Sequence, residues 1–194
     1  MSLRLPAPRR RRQLLDVALR VFAESGYHAT SMNDLAEAAG VTKPVLYQHF
    51  RSKRALYLEL LEDVGGRLRD AIAKATTEAT SPREQVQAGF RAYFTFVASQ
   101  QPAFQLLFGG GARRDEEFAD AVRSVELSIA ETIAALIVVE GLDDSRRLLL
   151  AHGIVGLAEG TSRHWLAGGR SGGVDELAAQ VASLAWAGLR GVQG

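Results

Sequence analysis

Cysteine is absent from the sequence, and so are long apolar runs and the strict apolar-polar alternation that marks β-strands. The first absence excludes disulfides and thiolate metal sites and is compatible with a reducing cytosol. The second argues against a membrane span, which needs about 18 to 20 apolar residues in a row. The basic start of the chain carries no apolar stretch of the kind found in secretory signals. We therefore expect a helical, cytoplasmic protein.

The motifs of common enzymes are missing as well. The sequence contains no phosphate-binding loop, no nucleophile elbow and no zinc-protease spacing. His152 and Glu159 share a helical face, but His164 falls off it, so the three predict no metal site. We expect no enzymatic activity and no cofactor.

Charge is unevenly distributed along the chain. The net charge is only +1, but residues 1–54 hold ten Lys and Arg against four Asp and Glu, which gives +6. The remaining residues hold thirteen against eighteen, which gives −5. A basic N-terminal quarter on an acidic body indicates that the first part meets a polyanion.

Helical signals recur nearly throughout and predict an all-α protein of about nine helices. Ser31 and Asp34 form a capping-box pattern, and Ser81 with Pro82 marks another helix start. Gly26 and Gly40 are placed to end helices. A long helix from Ser52 to about residue 75 contains a Gly65-Gly66 pair. This pair is either a hinge or a device for close packing.

Residues 31–50 read as helix, glycine turn and second helix, the arrangement whose second helix enters the DNA major groove. With Leu46 and Phe50 pointing inward, the opposite face of the second helix carries Pro44, Val45 and Gln48. Gln48 can bond adenine bidentately and Val45 can pack on a thymine methyl. The flanks can hold phosphates and so fix the register; they carry Thr42, Lys43, Tyr47, His49 and Lys53. The basic run Arg9–Arg12 is predicted to be an arm that contacts DNA, with Arg12 as its innermost residue, or else a solvated tail.

The run from Leu14 to Leu58 resembles the N-terminal domain of the TetR (tetracycline-repressor) family. The residues that carry the likeness are "VFAESGYHATSMNDLAEAAGVTKPVLYQHFRSKRALYLEL". Within them, Thr30 and Ser31 stand where the family pattern expects them and are added to the candidate DNA contacts. Pro44-Val45 departs from the pattern, since many members have small or hydroxylated residues there.

The resemblance implies a homodimeric, ligand-responsive transcriptional regulator, typically a repressor released from palindromic operator DNA by a small molecule. It implies two domains, which we place at residues 1–52 (helix-turn-helix, with the basic arm) and 53–194 (effector binding and dimerisation). The alternative is a DNA-binding adaptor controlled by a protein partner. The two domains would be coupled through the helix that begins near Ser52, taken here as the only covalent route between them.

Two further sets of residues are predicted in the C-terminal domain. Part of an aromatic set is expected to line a cavity for a lipophilic effector: Phe90, Tyr93, Phe94, Phe104, Phe108 and Trp165. The last two helices are expected to form a four-helix interface with a second copy, through a seam at heptad spacing in the last helix and glycines in the one before it: Val174, Leu177, Val181, Leu184, Gly153, Gly156 and Gly160.

Overall fold

The computed structural model describes residues 6–192, without the side chains of Arg113 and Arg114. The outermost ends of both predicted domains, residues 1–5 and 193–194, lie outside the described residues. Within the described part every regular element is a helix, which confirms the all-α prediction. The helices are α1 (Ala7–Ser25), α2 (Met32–Ala38), α3 (Lys43–His49), α4 (Lys53–Thr77), α5 (Pro82–Ser99), α6 (Gln101–Phe108), α7 (Gly111–Arg114), α8 (Ala119–Ala134), α9 (Asp144–Ala167) and α10 (Val174–Leu189).

Nine of these ten helical segments correspond to the nine predicted helices, and the extra one is the four-residue α7. It follows Gly110, whose φ of 83° lies in the left-handed region that glycine tolerates. This left-handed glycine lets the chain begin one further helical turn, which a search for patterns over longer windows misses.

Local capping chemistry explains several helix boundaries. The hydroxyl of Ser31 accepts a hydrogen bond from the Asp34 amide, and the Asp34 carboxylate accepts one from the Ser31 amide, so the predicted capping box is confirmed. Ser52 accepts from the amide of Ala55 at the start of α4, at 3.0 Å. Ser81 does the same at the start of α5. These side chains satisfy amides that have no partner within the helix.

Helix α4 is continuous through Gly65 and Gly66, so neither glycine ends the helix. A Cβ added to Gly65 would lie 2.3 Å from Cγ1 of Val125 in α8, far inside contact distance. A Cβ on Gly66 would meet nothing nearer than the Arg69 guanidinium at 3.9 Å. Gly65 therefore permits the close approach of α4 and α8, and Gly66 has no such role.

The chain forms two compact units that are not continuous in sequence. One comprises Met1–Val64 with Pro102–Val122, and the other comprises Gly65–Gln101 with Arg123–Gly194. The chain thus passes between the units three times: within α4, at the start of α6 and within α8. Helix α4 is therefore not the only covalent connection between these two units. The predicted domains divide the chain once, at residue 52, and that division stays a prediction, whereas residues 102–122 group here with the first helices.

The first unit is built around side chains from α1 to α4 that are almost completely buried, among them Leu14, Leu35, Leu46, Leu56 and Leu60. In the second unit α10 packs mainly on α5. Buried apolar residues on these helices include Phe94, Val97, Ala178 and Ala182. A smaller apolar cluster in the same unit is centred on Ala130, Ile137, Leu142 and Ala151. None of the helices described is long and apolar enough to cross a membrane.

Candidate nucleic-acid interface

The second helix of the predicted motif presents the two faces expected of it. In α3, Leu46 and Phe50 are buried, with exposures of 1% and 3%. They are four residues apart and so lie on one side of the helix. Pro44 and Gln48 are exposed, and Val45 is half-buried. The face assigned to base recognition is therefore free to meet a ligand.

The turn that precedes α3 fixes its position relative to α2. Gly40 has φ of 63° and donates its amide to the Glu37 carbonyl at 2.9 Å, while Val41 donates to Ala36 at 2.9 Å. This pair of bonds is a Schellman ending, which places glycine in the left-handed conformation and turns the chain sharply. The glycine is required here because a Cβ would strain this backbone.

The predicted phosphate contacts on the flanks of α3 are accessible. Thr42 and Lys43 are exposed, and the Tyr47 ring is 45% exposed although it is large and apolar. His49 is half-buried beside Phe50. Thr42 precedes α3 without capping it through its side chain, so its hydroxyl is not used by the helix. These residues share a surface with Gln48, and their contact with DNA stays a prediction.

Lys53 is placed differently from the other candidates. Its ammonium group donates to the carbonyl oxygens of Tyr27 and Thr30, both at 2.8 Å, and lies 4.2 Å from the Tyr27 ring centroid. Two of its three N–H donors are therefore used to fasten the α1–α2 turn to the start of α4. A lysine at a helix start is unfavourable to the helix dipole, and these carbonyls offset that cost.

Thr30 and Ser31 hold the start of α2. Thr30 is 3% exposed, and its hydroxyl donates to the Gly26 carbonyl at 2.8 Å. The structure therefore does not bring the Thr30 side chain to the exposed face. Ser31 is exposed and caps α2. Its hydrogen bonds, first from the backbone amide and then from the hydroxyl, lower the pKa of Asp34.

The basic run Arg9–Arg12 lies in the first turns of α1 rather than in an extended arm. Arg12 bonds Asp16 at 2.8 Å and Asp63 at 2.5 Å. Arg11 bonds Glu59 at 2.6 Å and lies 4.5 Å from the Phe50 ring centroid. These two arginines thus tie α1 to α4 inside the first unit. A DNA contact by Arg12 stays a prediction, and it would have to compete with two carboxylates.

Residues 115–118 pack against the turn between α1 and α2, a contact that the sequence does not predict. Phe118 is fully buried, and its ring centroid lies 4.5 Å from those of both Tyr27 and Tyr57. Beside this aromatic cluster, His28 Nε2 lies 2.5 Å from Asp115 Oδ2. This hydrogen bond is the main reason that the pKa of Asp115 is lowered. Its partners are 87 positions apart, which is why no local pattern could find it.

The predicted effector-lining aromatics are all buried, but they are divided between the two units. Phe90, Tyr93, Phe94 and Trp165 belong to the second unit, where Tyr93 and Phe94 pack edge to face at 5.2 Å. Phe104 and Phe108 belong to the first and pack on each other at 5.3 Å. The structure therefore does not gather all six in one compact unit.

An open groove of about 530 Å³ lies in the second unit between α4 and α5. None of the six predicted aromatics lines this groove. Its lining residues are mostly alanines and polar residues: Ala71, Ala75, Glu78, Ala88, Arg91, Ala92, Thr95, Phe96 and Ser99. Over the described residues no group of three or more acidic or histidine side chains is arranged to hold a metal ion.

The predicted dimer residues are mostly on the surface of the second unit. Gly153, Gly156 and Gly160 of α9 are exposed, and a Cβ on any of them would meet open space. In α10, Leu184 is 63% exposed, whereas Val181 is 6% exposed. Val181 therefore faces its own unit. The helical period is 3.6 residues per turn, so positions at heptad spacing do not all lie on the same side of α10. Val174 and Leu177 are half-buried.

Comparison with known proteins places these features in a family. Residues 14–60 match the model of bacterial regulatory proteins of the tetR family, and residues 82–188 match that of a tetracyclin repressor-like C-terminal domain. The HTH-type transcriptional activator FasR of Mycolicibacterium smegmatis is 34% identical over 187 residues, which cover 96% of this chain and 85% of FasR.

Solved structures of similar fold include regulators of the same kind. A TetR-like regulator from Rhodococcus sp. RHA1 aligns with a TM-score of 0.78 and 33% identity over 97% of this chain and 100% of its own. The regulator FadR of Bacillus subtilis, in complex with stearoyl-CoA, aligns with a TM-score of 0.77 over 90% of this chain and 96% of its own. Its identity of 20% supports likeness of fold alone.

Proposed function

Because the chain belongs to the tetR family of bacterial regulatory proteins, we propose that it binds a palindromic operator as a homodimer and that a lipophilic small molecule changes this binding. The chain is a helix-turn-helix transcriptional regulator. As a DNA-binding regulator of a bacterium it would act in the cytoplasm.

The observation that carries the proposal is the exposed face of α3. Gln48 and Pro44 stand free, while Leu46 and Phe50 on the other side hold the helix to the core. Lys43 and Tyr47 flank this face and are exposed. An amide that can read a base edge, bordered by groups that can hold phosphates, is the arrangement that sequence-specific recognition requires.

The effector is proposed to carry a long apolar chain. The second unit buries Phe90, Phe94 and Trp165, which would give such a chain apolar contacts. The similar fold that holds stearoyl-CoA in FadR is in keeping with this class. A protein partner in place of the effector has no specific support among the described residues.

Selection of bound sites from random DNA with the full-length protein tests the first part. We expect a palindrome with half-sites spaced by whole helical turns. Fluorescence anisotropy on the selected site, with stearoyl-CoA titrated in, tests the second part, and we expect the effector to weaken binding. A reporter gene behind the same site then gives the direction of control, for which repression is the expected outcome. Selection that returned no common sequence would overturn the proposal.

A further inference from the structure

The buried face of α9 carries polar side chains. Glu159, Ser162 and Trp165 are 6%, 0% and 6% exposed. They lie three residues apart, so they share one side of the helix. Other residues on the buried side are small, namely Ala151 and Ala158. A helix face of this kind would ordinarily be apolar, since burying a polar group is unfavourable unless it is hydrogen-bonded.

Two of these side chains keep a donor without a partner among the described residues. The hydroxyl of Ser162 and the indole Nε1 of Trp165 are both buried, and neither makes a hydrogen bond there. Buried polar groups are nearly always paired in native proteins, so two orphaned donors on one helix face call for a specific reason. A ligand that supplies the missing acceptor is such a reason.

Thr161, next to Ser162, shows that backbone carbonyls of α9 can accept a hydrogen bond from a hydroxyl on this helix. Thr161 donates to the carbonyl oxygens of Leu157 at 2.7 Å and Ala158 at 3.0 Å. Thr76 and Thr132 also bond back to their own helices. Ser162 does not follow this common pattern. Its hydroxyl is therefore not used by the backbone and remains available to another group.

The charges nearby limit what that group can be. Glu159 pairs with Arg163 one turn along, so the buried carboxylate is already neutralised by its own helix. A free carboxylate ligand would lie beside this paired carboxylate, and the Arg170 cation, which lies 5.8 Å from the Trp165 ring centroid, already bonds Gln101. Both Ser162 and Trp165 offer a donor, and indole can only donate. An uncharged acceptor oxygen, such as the carbonyl of an acyl thioester, fits this set.

We propose that Ser162 and Trp165 donate hydrogen bonds to the carbonyl oxygen of an acyl thioester effector, an assignment that rests on the function proposed above. The two side chains are three residues apart on one face, and a shared acceptor would satisfy both donors at once. They would distinguish a thioester from a compound of the same length that lacks the carbonyl. The Arg163 cation is already paired with Glu159 and would not hold the free acid.

The test compares stearoyl-CoA with its thioether analogue, S-octadecyl-CoA, and with stearate, by calorimetric titration of the full-length protein. The two CoA compounds differ only at the carbonyl oxygen. We expect the wild type to prefer the thioester by roughly tenfold, as one or two net hydrogen bonds give, and to bind stearate more weakly. Ser162→Ala and Trp165→Phe should bind the thioether as the wild type does and lose most of the preference.

Thr161→Val is the matched control, because its hydroxyl is already bonded to the backbone, and it should keep the full preference. The melting temperature of ligand-free protein adds a second readout. Ser162→Ala removes an unpaired buried hydroxyl, so we expect it to leave the melting temperature unchanged or raise it. A purely structural role for Ser162 predicts a lower one.

Equal affinity of the wild type for thioester and thioether would overturn the assignment. So would a preference that survives in both variants, or failure of both CoA compounds to bind. Binding to the selected operator, measured on the same preparations without ligand, judges the proposed function separately. A protein that binds its operator but no CoA compound would retain its place as a regulator and lose this effector class.

Discussion

Lys53 donates a hydrogen bond to the carbonyl oxygen of Tyr27 at 2.8 Å while its ammonium group lies 4.2 Å from the centroid of that residue's ring. One side chain thus engages both the backbone and the aromatic face of the same residue. Tyr27 in turn packs on Tyr57 and Phe118. The first turn of α4 is fastened in this way to the turn between α1 and α2.

We expect Lys53→Met to destabilise the protein by about 2–3 kcal/mol, because charge-assisted hydrogen bonds and a cation–π contact are lost together. Operator affinity should fall for every sequence alike. If the third N–H also holds a phosphate, the plot of log K against log salt should flatten by about one unit. Urea unfolding and salt titrations measure the two effects. Lys43→Met, at an exposed lysine, is the control and should change the salt slope with little effect on stability.

Gln48→Ala should alter base preference at one position per half-site by about 1–3 kcal/mol, since a bidentate contact to adenine would be removed. Val45→Ala should have a smaller effect at a neighbouring position. Competition between operator variants measures both. An unchanged preference and affinity for Gln48→Ala would mean that another part of α3 faces the bases.

Leu184→Glu should convert the dimer into monomers and abolish specific DNA binding, because Leu184 is 63% exposed in the single chain and would be covered by a second copy. Sizing with light scattering gives the oligomeric state. Ala179→Glu adds the same charge at another exposed position of α10 and should leave the dimer intact. A wild type that is monomeric at micromolar concentration would contradict the predicted interface.

The two glycines of α4 should respond in opposite ways. Gly65→Ala would drive a methyl group into Val125 and cost about 1–3 kcal/mol through overpacking. Gly66→Ala should stabilise by about 0.5–1 kcal/mol through helix propensity, since its Cβ has room. Combining Gly65→Ala with Val125→Ala should recover part of the loss, which a double-mutant cycle in urea would show. A hinge would instead reveal itself as reduced coupling between effector and operator in Gly66→Ala at normal stability.

Burial raises the pKa of Tyr57 to about 12. The unfolded chain releases this proton near pH 10. The folded state therefore binds the proton more strongly, and the resulting stability is complete below pH 10 and is lost as the pH rises to about 12. This rise of about two pKa units contributes at most about 2.7 kcal/mol to the free energy of unfolding. Denaturant unfolding at pH 9 and 11 should show the decline, and Tyr57→Phe should reduce its slope.

The features that the sequence predicted well are those set by neighbours in the chain. The capping box of Ser31 and Asp34, the glycine ending at Gly40 and the inward side of α3 each depend on residues within about five positions. These local rules sufficed for the nine longer helices and for the face that carries Gln48.

The features that it missed depend on partners distant in sequence. The carbonyls that hold Lys53 are 23 and 26 positions away, so the sequence shows only a lysine that could meet a phosphate. Asp63 is 51 positions from Arg12, so the sequence does not show their ion pair. A heptad pattern does not show which side of α10 its own unit covers, so it does not show that Val181 is buried there. Which side chains are buried, and which distant residues they bond, depends on how the helices pack. The spacing of residues along the sequence does not encode this packing.

Phe118 belongs to the first unit although it lies far beyond residue 52, the predicted end of the DNA-binding domain. Its ring completes the aromatic cluster of Tyr27 and Tyr57, yet it lies more than forty residues beyond α4. A chimaera that carried only residues 1–64 into another regulator would separate these two tyrosines from Phe118. It would also separate His28 from Asp115. The exchangeable module is the unit with both of its segments, so a transplant of DNA specificity has to bring residues 102–122 with it.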